Sequence, residues 1–289
     1  MKKKFKIVKS KLGHYYVQSP PSPKELQNYY ANQYFNINPR YLKKNEKKFE
    51  ETYYKNQSIL RFEFIKKYIK KKRPTLLDIG AGTGRFLFYT SSYVKKSLGV
   101  DFSNKQLKYK LPKKTNFISF NPLEFVHKFS LNYDVITLNN VVEHSDKIYE
   151  LFKMLKKKIN NKTLILISIP NDFSDMQSYF LKKKLIKKNY WIAYPDHLNY
   201  FNNKNFINFI KKFNFKLVDA ISDYPVETLL FEENFNYINA NSLGKSAHHL
   251  RCKFVNFIYQ NSNVHDILNY FKSCFNLGIG RNNLFIIKK

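Results

Sequence analysis

The chain of 289 residues has only two cysteines, Cys252 and Cys274, too few for a disulfide framework or a structural zinc site. It has no run of about 18 consecutive apolar residues, so nothing in it reads as a membrane-spanning helix. The basic start, MKKKFKIVKSKLGHYY, is not followed by a continuous apolar stretch and makes a poor signal peptide. A cytoplasmic protein is the simplest expectation. Acidic residues are few, 21 against 51 basic ones, which leaves a formal net charge of +30. Taken alone, that charge suggests a nucleic-acid or acidic-membrane partner. Arginine, however, is also scarce: Arg40, Arg61, Arg73, Arg85, Arg251 and Arg281 are all there are. Proteins that read phosphate geometry favour arginine's rigid fork. The lysine excess, with abundant Asn, Ile, Phe and Tyr, fits AT-rich codons better than a polyanion site. Nucleic acid is therefore not expected as a partner, although the charge can help an anionic small substrate arrive.

What the chain does have is core-forming material. Hydrophobic residues make up 43%, with 27 Phe and 22 Tyr, enough for one large α/β domain with accessory helices or two small domains. Residues 1–73 are polar, Tyr-rich and Lys-rich. After Pro20, Pro21 and Pro23, apolar residues recur at helical spacing in Lys24–Phe35 and Glu46–Lys72, which predicts a helical N-terminal cap ending before Pro74. The pattern then changes. Thr75–Ile79, Ser97–Val100, Asn116–Phe120, Asp134–Leu138 and Leu164–Ile169 are short β-like runs, several of them continuously apolar as strands buried on both faces should be. Helical stretches are predicted at Arg85–Lys96, Ile148–Ile159 and Asn205–Phe213, with further strands at Phe215–Ala220 and Leu284–Ile287. Alternating strands and helices mean βαβ units and a parallel sheet. Residues 74–289 form this domain, and the pieces 171–202 and 223–281 are insertions too long to be plain loops.

The first strand runs into Asp78-Ile-Gly80-Ala81-Gly82-Thr-Gly84 and then into a helix. Glycines there let the backbone turn sharply and approach a ligand, and a helix start adds outward-facing N–H groups. Asp101 ends the next strand about 20 residues on, where a carboxylate can accept both hydroxyls of a ribose. The dinucleotide fingerprint GxGxxG fits poorly, because the third glycine arrives one residue early and position 85 is arginine.

The spacing Asp-x-Gly-x-Gly-x-Gly resembles motif I of class I S-adenosylmethionine (SAM) dependent methyltransferases. That resemblance implies a Rossmann-like, doubly wound, seven-stranded sheet, mostly parallel with the last strand antiparallel, and SAM as cofactor. It implies that Gly80, Ala81, Gly82 and Gly84 cradle the methionine end, Asp78 orients the loop, Asp101 clamps the ribose and Phe102 flanks the adenine. Asn121 stands where the family often has an acidic residue for the adenine amine. Asn139, at the end of the fourth strand, would line the cleft, and Asn139–Ser145 (NNVVEHS) resembles the family's Glu-His segment. The stretch Pro170-Asn-Asp-Phe173, then Trp191 and Pro195-Asp-His-Leu-Asn-Tyr-Phe201, is similar to a bacterial subfamily (Methyltransferase domain 23-like) often found with genes of polysaccharide and modified-sugar synthesis. This implies O-methylation of a sugar, nucleotide-sugar or glycan-precursor hydroxyl. A hydroxyl acceptor is helped by a base, and His197, His144 and Asp172 are the candidates in that order. His248, Arg251 and Arg281 could hold a phosphate or carboxylate of the acceptor. No metal-ligand cluster stands out, so none is expected. A quinone-type acceptor, an RNA acceptor and a non-catalytic SAM-binding protein remain alternative readings, and the oligomeric state is open.

Overall fold

The computed structural model describes residues 5–29 and 47–289. A seven-stranded sheet forms its centre. Its strands are β3 (Thr75–Ile79), β4 (Lys96–Asp101), β5 (Thr115–Ser119), β6 (Val135–Asn139), β7 (Leu164–Pro170), β9 (Lys216–Ser222) and β10 (Asn282–Lys288), in the order β5-β4-β3-β6-β7-β10-β9. The first five run parallel, and β10 lies antiparallel between β7 and β9. Every residue of β7 is buried, which explains its unbroken apolar sequence.

Helices cover both faces. On one face Ile148–Lys158 and Asn203–Lys212 pack Phe152, Phe206 and Phe209 against β3, β6 and β7. On the other, Lys48–Lys66 and Val264–Leu277 contribute Phe62, Phe64, Ile65 and Phe271. The fold is Rossmann-like and doubly wound, with the antiparallel final strand that the sequence led us to expect. Strand order reverses between β3 and β6, and in open α/β sheets a ligand cleft forms beyond the carboxyl ends of the strands at such a point.

Three local expectations need correction. The helix predicted over Arg85–Lys96 stops at Thr90, followed by one 3-10 turn at Ser91–Tyr93. Thr90 and Ser91 turn their hydroxyls back onto the carbonyls of Phe86 and Phe88, competing with the helical ladder. The helix over Glu46–Lys72 spans Lys48–Lys66 instead. The helix expected at Lys24–Phe35 is seen as Pro23–Asn28, capped by Ser22 and Glu25; its continuation lies outside the described residues. A second, three-stranded sheet was not anticipated at all. It is made of β1 (Ile7–Lys9), β2 (Tyr15–Val17) and β8 (Asn199–Tyr200), whose strands are too short to show a period.

His14, in the turn between β1 and β2, joins that small sheet to the main core. Its ring stacks on Phe201 at 4.7 Å, and its Nδ1 bonds Ser10 Oγ at 2.8 Å. Burial lowers its pKa from 6.5 to about 4. The unfolded chain therefore binds a proton that the folded chain refuses between those values, and stability should fall as pH drops from about 6.5 towards 4. A His14→Phe variant is expected to lose less melting temperature than the wild type between pH 7 and pH 4.5. Parallel losses in the two thermal-melt series would remove His14 as a source of acid sensitivity.

Candidate active site

A cleft of about 1330 Å³ opens beyond the carboxyl ends of β3, β4 and β6. The glycine loop forms its floor. Gly80 and Ala81 donate their N–H groups to the carbonyl of Val100, at 2.8 and 3.1 Å, tying the loop to β4. The loop N–H of Gly82 instead points at Asp101, reaching Oδ2 at 2.7 Å, while Asp101 Oδ1 accepts from Phe102 N at 2.7 Å. Burial raises the pKa of Asp101, and these N–H groups pull it back.

The glycines do different work. Gly82 has φ +52°, and a Cβ there would meet nothing within 4 Å, so its bare face opens onto the cleft. Gly84, with φ +75°, starts the helix Arg85–Thr90, and a Cβ on it would come within 2.9 Å of Leu107. Gly80, Ala81 and Gly82 line the cleft, whereas Gly84 packs behind it.

Asp78, Asp101, Phe102, Asn121 and Asn139 all reach the cleft wall. Asp78 is buried and accepts from Thr137 Oγ1 at 2.6 Å and from Asn139 Nδ2 at 3.2 Å. Burial raises its pKa to about 7 against those hydrogen bonds. Asn121 carries a duty that the sequence reading missed. Its Oδ1 caps the helix Pro122–Lys128, accepting from Leu123 N and Glu124 N at 3.0 and 3.2 Å. The oxygen expected to meet an adenine amine is thus engaged by backbone. The signal was present, since Asn-Pro-Leu-Glu is a cap residue followed by proline at the first helical position.

Arg61 was not foreseen. It stands on the cleft wall from the helix Lys48–Lys66 and donates to Asn139 Oδ1 at 3.1 Å. In sequence it is one basic residue among the apolar positions of an amphipathic helix, and nothing local marks it.

The three candidate bases separate. His144 and His197 line the cleft with ring centroids 5.0 Å apart, edge to face. His144 Nδ1 lies 2.6 Å from the carbonyl oxygen of Asp196. Burial works against its protonated form, but Asp196 and Glu143 outweigh it and raise the pKa to about 9. Burial and the neighbouring His144 charge push His197 the other way, to about 3. Asp172 is 1% exposed and absent from the cleft wall; Arg281 Nη1 holds its Oδ1 at 2.8 Å, and its Oδ2 stands 4.0 Å from His197 Nδ1. Asp172 therefore stands behind His197 and does not itself line the cleft.

Within the His197 loop, Tyr200 Oη donates to the carbonyl of His197 at 2.8 Å. Two bonds hold the loop against the turn after β6: Leu198 N donates to the carbonyl of Glu143 at 2.7 Å, and Asn199 Nδ2 to that of Ser145 at 2.7 Å. They bring Glu143, His144 and His197 together, with one donor atom of each within 4.8 Å of the others. No such cluster was expected from the sequence.

The far wall is basic and aromatic. Arg251 Nη2 lies 2.8 Å from His248 Nδ1, its guanidinium sits 5.4 Å from the Tyr53 ring centroid, and Glu50 lies 3.4 Å from His248. Arg281 is committed to Asp172 and to Glu227, 3.5 Å away. Of the three residues expected to hold an anion, His248 and Arg251 face the cleft side by side, and Arg281 reaches it already neutralised.

SAM fits this frame. It needs a backbone bare of side chains, an acceptor for ribose hydroxyls, and a carboxyl group near its amino end; Gly82, Asp101 and the buried Asp78 stand on one wall. A family profile described as Methyltransferase domain matches residues 49–220, more than half of the chain. Among curated proteins, none matches the chain. A solved SAM-dependent methyltransferase from Archaeoglobus fulgidus is 19% identical with a TM-score of 0.53, covering 89% of this chain and all of its own. The plantazolicin methyltransferase BamL, solved in complex with a triazolic desmethylPZN analogue and SAH, is 16% identical with a TM-score of 0.53 over 92% of this chain and 94% of its own. At such identities the likeness is one of fold, and the profile match carries the family. The chain belongs to the methyltransferase-domain family and is a class I SAM-dependent methyltransferase.

Proposed function

We propose that this enzyme methylates a hydroxyl of a sugar, nucleotide-sugar or glycan precursor. The observation that carries the reading is the shape of the cleft: one cavity of about 1330 Å³ joins the glycine loop and Asp101 to the His144–His197 pair and to the basic-aromatic wall. That volume exceeds the few hundred to about 1000 Å³ of a single-ligand pocket and leaves room for a second molecule.

In this reading Gly80, Ala81 and Gly82 carry the methionine end, with Gly84 shaping the loop from behind. Asp78 faces the amino group, and Arg61 meets the carboxylate. Asp101 takes the ribose hydroxyls. Phe102 flanks the adenine, Asn121 offers it Nδ2 in place of the capping oxygen, and Asn139 closes the floor. When bound, SAM supplies a methyl group on a positively charged sulfur. The protein's own work is then alignment and handling of one proton. The acceptor hydroxyl lies against His197 and His144, with Asp172 behind His197. Tyr53, Tyr54, His248 and Arg251 suit the ring face and any anionic group of the acceptor. The helix Lys48–Lys66 serves as part of the N-terminal cap, because it brings Tyr53, Tyr54 and Arg61 to the wall.

The test is a transfer assay with methyl-labelled SAM, the pure protein and extract from cells lacking it. Label in an anionic, nuclease-resistant small-molecule or glycan fraction is the expected result. Label in the organic extract would replace the sugar with a quinone-like acceptor, and RNase-sensitive label would replace it with RNA.

A further inference from the structure

The cluster of Glu143, His144 and His197 has features that proton handling alone does not use. Glu143 is 1% exposed, yet its Oε2 has no hydrogen-bond partner, while Oε1 accepts from Asn140 Nδ2 at 3.1 Å. Leaving a buried carboxylate oxygen without a donor is costly, and such an atom points to a missing partner. Each imidazole also has an oxygen behind it, hydrogen-bonded in one case. The Asp196 carbonyl, 2.6 Å from His144 Nδ1, fixes the proton there, and His144 Nε2 lies 3.9 Å from Glu143 Oε1. Asp172 Oδ2, on a carboxylate held by Arg281, stands 4.0 Å behind His197 Nδ1, beyond hydrogen-bond distance, and both of these buried atoms are without a hydrogen-bond partner. A carboxylate or carbonyl behind each ligating imidazole is how metal-binding histidines are aimed.

We infer that Glu143, His144 and His197 form a divalent-cation site, of the two-histidine, one-carboxylate kind that leaves outward coordination positions open. The donor atoms, within 4.8 Å of one another, need small rotamer shifts to reach the roughly 3 Å spacing that bonds of about 2.1 Å impose. Two imidazoles with one carboxylate suit Mn²⁺, Fe²⁺, Co²⁺ or Zn²⁺ better than Mg²⁺ or Ca²⁺, which prefer all-oxygen sites. The chemical class of acceptor follows: one that presents its reacting hydroxyl next to a second oxygen, so that both can face the ion. The inference deepens the hydroxyl-methylation reading and rests on it for its chemistry. The hydroxyl oxygen takes the methyl carbon, the sulfur keeps the electron pair of the bond that breaks, and the hydroxyl proton passes to water. His197 then acts as a ligand, and the cation lowers the hydroxyl's hold on its proton.

The test uses the full chain after treatment with and removal of a chelator. Co²⁺ is titrated and followed by its visible absorption, and Mn²⁺ by loss of the free-ion magnetic-resonance signal. One equivalent of each is expected to bind, with affinity at least 50-fold weaker in Glu143→Gln and in His197→Gln. SAM affinity, measured separately, is expected to stay within about threefold, which also shows that both variants fold. Absence of stoichiometric binding of both ions to the wild type would overturn the site, as would unchanged affinity in either folded variant. Neither titration uses SAM or acceptor, so failure of the metal site and failure of the methylation reading give different results.

Discussion

Asp101→Ala is expected to weaken SAM binding by at least about 100-fold in a calorimetric titration. The carboxylate sits on the cleft wall at the end of β4, opposite the bare face of Gly82. Hydrogen bonds to an ionised group contribute about 1.5–3 kcal/mol each, and losing two to a ribose would cost two decades or more. The side chain also positions the loop, through its bond to Gly82 N. Asp101→Asn keeps one of these bonds, since its amide oxygen can still receive the Gly82 N–H, but sets its NH2 against the Phe102 N–H; a loss as large as that of Asp101→Ala would therefore show that the Gly82 bond alone does not sustain SAM binding. Thermal melts of both variants should show a folded chain. Unchanged SAM affinity in Asp101→Ala would remove Asp101 from the cofactor site.

His197→Ala is expected to lower turnover by about 100- to 10,000-fold, the range for loss of a group that manages the reacting proton. SAM affinity should change little, because the contacts of His197 are with His144 and Asp172. A single-turnover assay on the fractionated acceptor would show the loss in the chemical step and not in SAM binding. Its comparison with chelator-treated wild type is informative: if His197 works as a ligand, the two should be equally slow. Near-normal turnover in His197→Ala would pass the proton to His144 or show that none of these groups is needed.

The two histidines also illustrate what position does to like side chains. His144 is pressed by carboxylates and rises to about 9, while His197, a ring away, is desolvated beside that positive charge and falls to about 3. Their sequence surroundings, Glu-His and Asp-His, are almost the same, and no local rule would have separated them.

Legibility followed the range of the interaction. The strands of the central sheet were readable within a residue or two, because burial on both faces writes itself into contiguous apolar runs such as LILISI. The glycine loop was readable for the same reason: strand, turn and helix start are consecutive, and only glycine can serve the bare face at Gly82. Less was legible where one residue served two ends. Asn121 looked like a ligand group and proved to be a helix cap as well, and Asp172 looked like a base and proved to be a buried partner of Arg281.

By itself, then, the sequence determined the doubly wound sheet, its glycine loop and the acidic residue at the end of β4, since each depends on neighbours along the chain. The tertiary structure alone decided that Arg61 would reach across to Asn139, and that β8 would pair with β2 and set Tyr200 beside Tyr15. It also decided that Glu143 and His144 would meet His197 across more than fifty intervening positions, through the bond from Leu198 N to the Glu143 carbonyl. These contacts depend on which surfaces are left to pack once the sheet has formed, and no spacing along the chain encodes that choice.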